Sequence, residues 1–244
     1  MPSPDPDGEA IRDIYDALAE DYNLLLPHLS DLIESYSVIV ELIPHEHDDR
    51  FRVIDIGIGP GLLSEMIADT FPNAHITGVD ISLQMLECAK RRLERFRPRV
   101  ELLQADVTQS IPGGPYHVAV SANALVYRNM RLADCYKRIR SKLVPGGVFL
   151  NSTLIAAENP EIEDAITRSI SSRRAALDPN LVKRLQEKGS RVSTFGDNSL
   201  AAAYRCEEHL EFFNKSSFDS AAMIWRHRSQ ALFFAAAGTS QIHA

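Results

Sequence analysis

The chain of 244 residues carries 45% hydrophobic and 24% charged side chains, the proportions of a globular protein able to bury a core without disulfides or a structural metal. Acidic residues outnumber basic ones 33 to 26, and the formal charge of −7 argues against a surface built to grip a phosphate backbone, so a nucleic-acid partner is disfavoured. Cys88, Cys135 and Cys206 offer neither a disulfide framework nor zinc-ligand spacing; with an acidic, Pro-rich start and no apolar run near the roughly 20 residues of a membrane span, they point to the cytoplasm.

Ile11, Ile14, Tyr15, Leu18 and Tyr22 recur at helical spacing behind a short tail and predict a first amphipathic helix. A second follows Pro27, with Leu29, Leu32, Ile33, Tyr36, Ile39, Val40 and Ile43 in period, and the polar run His45–Arg50 ends it. From Phe51 the pattern changes. Short apolar runs over 52–56, 75–79, 100–104, 117–121 and 148–154 alternate with helices from Pro60, from Ser82 and over 132–143, which predicts a doubly wound α/β domain on a mostly parallel sheet. Between Glu158 and Leu210 the strand rhythm stops, and helical, charge-rich segments over 162–171 and 181–187 read as an insert. A helix over 206–213 and strands over 219–225 and 230–236 follow, and the short turn Arg226–Arg228 implies antiparallel pairing of those two strands. The chain therefore divides into N-terminal helices (1–50), a core (51–157), a helical insert (158–210) and a completion of the core (211–244).

The run Val53-Ile-Asp-Ile-Gly-Ile-Gly-Pro-Gly61 leads a strand into glycines and then a helix, the arrangement that brings backbone close to a ligand at a helix N-terminus. The third glycine comes one residue early for the dinucleotide fingerprint, since Leu62 stands where glycine is needed, and the Lys-Ser/Thr of a phosphate-binding P-loop is missing. Asp55, inside the strand two residues ahead of the loop, would repel a pyrophosphate and suits a ligand that carries an ammonium group.

Asp55, Gly57, Gly59 and Gly61 in D-x-G-x-G-x-G spacing resemble the first motif of the class I S-adenosylmethionine (SAM) dependent methyltransferases. The resemblance extends to Asp80 at the end of the second strand, to Ala105-Asp106-Val107 after the third, and to the Val144–Val148 turn before the fifth. It implies a seven-stranded sheet with an antiparallel last strand and SAM as cofactor. Asp80 would accept the ribose hydroxyls, and Asp106 and Val107 would meet the adenine. Ile81 and Met85 would pack on adenine and ribose, and Ser121 would stand at the fourth strand's exit, which borders the transferred methyl. That exit, Ser121–Tyr127, has Val126 and Tyr127 where many small-molecule relatives carry two histidines, which removes a histidine base there; it also lacks the N-P-P-Y signature of amino-directed enzymes.

Tyr127 is the one catalytic candidate, able to orient or deprotonate a hydroxyl. Asp16 and Tyr22 sit in a segment similar to the F-D-x-x-A-x-x-Y-D stretch that folds over SAM, which makes Tyr22 a lid residue, with Tyr15 two turns away on the same face. Tyr15, Asn123, Tyr127, Arg184 and Trp225 are the substrate candidates, and the insert is the expected substrate cap. The expected activity is methyl transfer to an oxygen, nitrogen or carbon of a small molecule in specialised metabolism. No metal is expected, and monomer and homodimer stay open. Two alternatives stand beside it. Lys183-Arg184 and Trp225 are faintly similar to carboxy-SAM synthase, an enzyme that modifies SAM itself, and a SAM-binding module without turnover is the other.

Overall fold

A computed structural model of the chain describes residues 8–25, 30–126, 130–174, 180, 183 and 203–238. Two helices lead, α1 (Gly8–Leu25) and α2 (Ser30–Glu41), and the alternating core follows as β1 (Arg52–Ile56), α3 (Leu62–Thr70), β2 (His75–Asp80), α4 (Leu83–Arg92), β3 (Val100–Gln104), β4 (Tyr116–Ala122), α5 (Leu132–Ser141) and β5 (Leu143–Leu154). Then come α6 (Pro160–Arg174), α7 (Cys206–Lys215), β6 (Ser220–His227) and β7 (Gln230–Ala236). One seven-stranded sheet runs in the order β3-β2-β1-β4-β5-β7-β6. Pairs from β3 to β5 are parallel, and β7 is antiparallel to both of its neighbours.

Three differences from the sequence reading have a local reason. The Val144–Gly147 turn lies inside β5, because Leu143 already pairs with Tyr116 before the Pro-Gly-Gly excursion shifts the register, and Gly146 supplies the left-handed φ of 80° that the excursion requires. β6 continues through His227, so the hairpin turn shrinks to Arg228 and Ser229, with Arg228 at a φ of 54°. A 3-10 turn over Glu94–Arg99, unread in the sequence, follows α4 and contains Pro98. The 162–171 helix falls within α6, whereas the 181–187 prediction lies outside the described residues apart from Lys183.

Both sheet faces are covered, so the central strands are apolar on both sides. On one face Val53, Val118, Val120, Leu150 and Leu232 pack with Leu32, Tyr36 and Ile39 of α2 and with Leu63 and Ile67 of α3. On the other, Ile54, Ile56, Phe149 and Phe233 meet Tyr136 and Ile139 of α5 and Phe213 of α7. Of the two N-terminal helices, then, α2 is part of the sheet's cover. Among the described residues no helix is long and apolar enough to cross a membrane.

The second core holds a polar knot. Asn151 Nδ2 donates to the Tyr136 hydroxyl at 2.8 Å, and that hydroxyl lies 2.8 Å from His209 Nδ1. The phenolic proton has the imidazole as its acceptor, which puts the ring proton on Nε2, a buried atom with no partner among the described residues. Burial pushes the His209 pKa down from 6.5 to about 4. Unfolded chains therefore bind a proton that the folded protein refuses, so this group's contribution to stability is complete above pH 6.5 and is lost as pH falls toward 4, by up to about 3 kcal/mol. In urea titrations between pH 7 and 4.5, His209→Phe is expected to lose less stability on acidification than the parent; parallel profiles would contradict the buried neutral imidazole.

Candidate cofactor site

The site is assembled at the carboxyl ends of β1 to β4, where open parallel sheets hold their ligands. Gly57 leaves β1 at a φ of 70°, and the N–H groups of Gly57 and Ile58 donate to Val79 O of β2 at 2.8 and 3.0 Å. A Cβ on Gly57 would lie 2.1 Å from the Ala124 Cβ, so the loop and the β4 exit approach closely enough to require glycine. Gly59, at a φ of 53°, donates its N–H to Asp80 Oδ2 at 2.9 Å, while Ser82 N–H donates to Asp80 Oδ1 at 2.9 Å. Burial raises the Asp80 pKa, the N–H bonds from Ser82, Gly59 and Ile81 pull it back, and the Asp16 carboxylate raises it again. Past β3, Asp106 Oδ1 accepts from Thr108 N–H at 2.9 Å and from its hydroxyl at 2.6 Å.

These pieces border one cavity. Gly57, Gly59, Asp80, Ile81, Met85, Asp106 and Val107 line it from the core, Tyr15 and Tyr22 from α1, and Asn123 from the β4 exit. Gly8, Ile11, Ala105, Thr108, Ala122, Ala124 and Met130 complete the described lining; none was named as a site residue from the sequence, although Ala105 belongs to the motif of Asp106, Thr108 follows it by two residues, and Ala122 and Ala124 lie in the β4 exit. Of the remaining candidates, Asp55, Gly61, Ser121 and Trp225 are placed elsewhere. Gly61 packs against Ala89 of α4 and Leu93 just past its end, within 3.3 Å of where its Cβ would sit, and so seats the loop. Ser121 is fully buried in β4 opposite Asn151. Trp225 packs on the first core from β6, at the sheet's far edge. Tyr127 and Arg184 lie outside the described residues.

Asp55 follows from strand alternation. It shares the face of Val53, beneath the loop, and accepts the Ser64 hydroxyl on Oδ2 at 2.7 Å. Burial raises its pKa to about 7, Ser64 partly opposes this, and Asp80 adds to it. The Lys90–Arg95 run, read as cations at a helix end, carries Lys90, Arg91 and Arg92 in the last turn of α4, and Arg92 also reaches Pro60 O at 2.9 Å and Glu65 at 2.9 Å.

Two carboxylates on adjacent strand ends, apolar walls, and no Lys, Arg or His among the described lining residues make a cavity hostile to phosphates and suited to a cationic ligand with hydroxyl and amino donors. Together with the sheet order and its reversed β7, this defines the class I SAM-dependent methyltransferase fold. Residues 53–147 match the family model described as a methyltransferase domain. Trans-aconitate 2-methyltransferase of Azoarcus sp. (strain BH72) is 35% identical over 101 residues, 41% of this chain and 38% of that protein. Carboxy-S-adenosyl-L-methionine synthase of Nautilia profundicola is a distant likeness, 19% identical over 202 residues, 83% of this chain and 84% of that protein. Among solved structures, an O-methyltransferase family protein from Burkholderia thailandensis superposes with a TM-score of 0.63 at 14% identity, covering 96% of this chain and 60% of that one. The chain spans about a third to a half of the length of the curated relatives it matches at 29% identity or more.

Two outcomes follow from this geometry. With a pKa near 7, Asp55 is about half protonated in the free protein at neutral pH, and its contribution to folding fades as pH climbs from about 4 through 7. A cationic ligand favours the ionised acid, so binding of SAM, whose sulfonium leaves it with a net positive charge that S-adenosylhomocysteine (SAH) lacks, should release protons and tighten from about pH 6 to 8, read by calorimetry in buffers of different ionisation enthalpy. Asp55→Asn should erase both effects. The tyrosines differ in burial: Tyr22 packs with Ala19, Met85 and Cys88, whereas Tyr15 is only partly buried against them. Tyr22→Ala is expected to lower the melting temperature and weaken SAM binding together, and Tyr15→Ala to weaken binding severalfold alone, since a cation over an aromatic ring is worth about 1 kcal/mol.

Proposed function

We propose that the chain is a SAM-dependent methyltransferase acting on an oxygen, nitrogen or carbon nucleophile of a small molecule, in the cytoplasm and in specialised metabolism. The observation that carries this reading is the acid-lined cavity beside the Gly57–Gly61 loop, with no basic side chain among its described lining residues. SAM, when bound, supplies a methyl group on a sulfonium that an in-line nucleophile can take, the electron pair of the broken carbon–sulfur bond staying on sulfur. The chain's part is to hold and to dry. Asp80 has acceptor capacity left beyond the Gly59 and Ser82 bonds and takes the ribose hydroxyls; Asp106 takes the adenine amino group, with Val107, Ile81 and Met85 against the ring. Tyr15, Tyr22 and Ile11 close the cavity to water, Asn123 stands where the acceptor approaches, and Tyr127 orients an acceptor hydroxyl. A small-molecule acceptor is supported by the charge of −7, and by a basic run whose Lys90, Arg91, Arg92 and Arg95 are each paired with a carboxylate, Glu87, Glu20, Glu65 and Asp69.

The test is binding, then products. SAM and SAH should bind in the micromolar range and Asp80→Ala should weaken both at least tenfold; tighter binding of NAD or ATP would overturn the assignment. Incubation with SAM and a panel of small carboxylic acids, phenols and amines should give a methylated acceptor and SAH by mass spectrometry, whereas a heavier sulfonium product would establish modification of SAM itself.

A further inference from the structure

We propose that Gln230 is a positioning residue for the cofactor site, acting through Asn123; this rests on the SAM reading above. Gln230 opens β7 and is buried, far in sequence from every residue that lines the cavity. Its Nε2 donates to Asn123 Oδ1 at 3.0 Å, and Asn123 Nδ2 returns a bond to Gln230 Oε1 at 3.3 Å. The other Nε2 hydrogen goes to Ser152 Oγ at 2.7 Å, the Ser152 hydroxyl donates to Ser35 Oγ at 2.8 Å, and the Ser35 hydroxyl donates to Leu32 O of α2 at 2.7 Å. Ser35 and Ser152 are fully buried.

The chain of donors has only one direction. It ends on a carbonyl, which cannot donate, so each hydroxyl proton and both amide orientations are fixed from that end. Turning the Gln230 amide over would set its oxygen against Asn123 Oδ1 and would leave the Ser152 hydroxyl without its donor. Asn123 is thereby held with its oxygen toward Gln230 Nε2, and one of its two amide hydrogens stays outside the pair.

Asn123 needs such a hold. It takes a left-handed φ of 54°, its N–H is fixed to Ser152 O at 2.8 Å, and the next residue, Ala124, abuts Gly57. The β4 exit is thus wedged between the glycine loop on one side and the Gln230 amide on the other. With two bonds to it, Gln230 fixes both the path of this exit and the donor that it presents to whatever occupies the methionine end of the cavity.

The experiment is a double-mutant cycle read by SAH calorimetry, with the melting temperature recorded for each protein. Gln230→Met should weaken SAH binding roughly tenfold, the scale of a lost buried hydrogen-bond pair, and should add little in the Asn123→Ala background. Gln230→Glu supplies the second readout: its ionised carboxylate faces Asn123 Oδ1 at neutral pH, and on acidification the protonated acid donates again, so its affinity deficit relative to the parent should shrink. Parent protein that fails to bind SAH would remove the SAM reading and this role with it. Parent protein that binds, with either variant matching it in affinity or with additive losses in the cycle, would leave the SAM reading standing and overturn the role of Gln230. If Gln230→Met does not fold, Gln230→Glu and Ser152→Ala decide by the same comparison.

Discussion

The Asp80 carboxylate, clamped between two backbone N–H groups, is the constraint on which the rest of the site depends. It is buried, and a buried charge is tolerated only when its lone pairs are met. Gly59 and Ser82 meet one on each oxygen, and each bond does structural duty: the first folds the glycine loop down over the end of β2, and the second starts α4. Hydrogen bonds to a charged group contribute about 1.5–3 kcal/mol each, enough to hold the loop in shape before any ligand arrives. Ser82 then extends the clamp, since its hydroxyl caps α4 by accepting Met85 N–H and donates to Asp16 of α1 at 2.5 Å. One acid thus ties loop, helix start and covering helix to the same point.

That clamp works because the sheet beneath it is rigid and its two faces differ. The face toward α2 and α3 carries Asp55 and Ser64 inside an apolar layer, while the face toward α5 and α7 carries Asn151, Tyr136 and His209. Both sets are short hydrogen-bonded knots in a close-packed surround, which fixes register more sharply than hydrophobic packing alone. Asp55 sits under the loop rather than in the cavity, so its influence on a ligand is electrostatic and acts through its own protonation.

Strand and helix positions were legible because apolar runs four to seven residues long alternate with helical periods, and the bounds of β1, β3 and β7 can be read directly from them. The glycine loop, Asp80 and Asp106 were legible for a different reason: strand ends converge in a parallel sheet, so acids that follow successive strands share one cavity. What could not be read was the direction of a side chain in a strand buried on both faces. Asp55 and Ser121 lie in such strands, where no polar face marks the outside, and both point into packed layers. Trp225 failed similarly, since its nearness in sequence to the last strand says nothing of its place at the sheet's far edge. Gly8 and Met130 reach the cavity from segments whose course depends on tertiary packing, and no local pattern names them.

The division of labour between the two ends of the cavity explains this asymmetry. On the proposed function, the end that takes adenine and ribose is built from strand termini, where the backbone fixes the carboxylates and only residue type is free. On the same reading, the end that faces the acceptor is built from α1 and the β4 exit, where geometry is set by contacts distant in sequence. Gln230 and Asn123, separated by 107 residues, join the two regimes: the hairpin that completes the sheet also fixes the segment beside which the acceptor must pass. A scaffold that tolerates many acceptors needs such a join. Loops beyond it could then vary in length and chemistry, while the proposed methyl end would keep the in-line geometry on which a transfer rate depends, because Asn123 is anchored to buried strands rather than to the loops themselves.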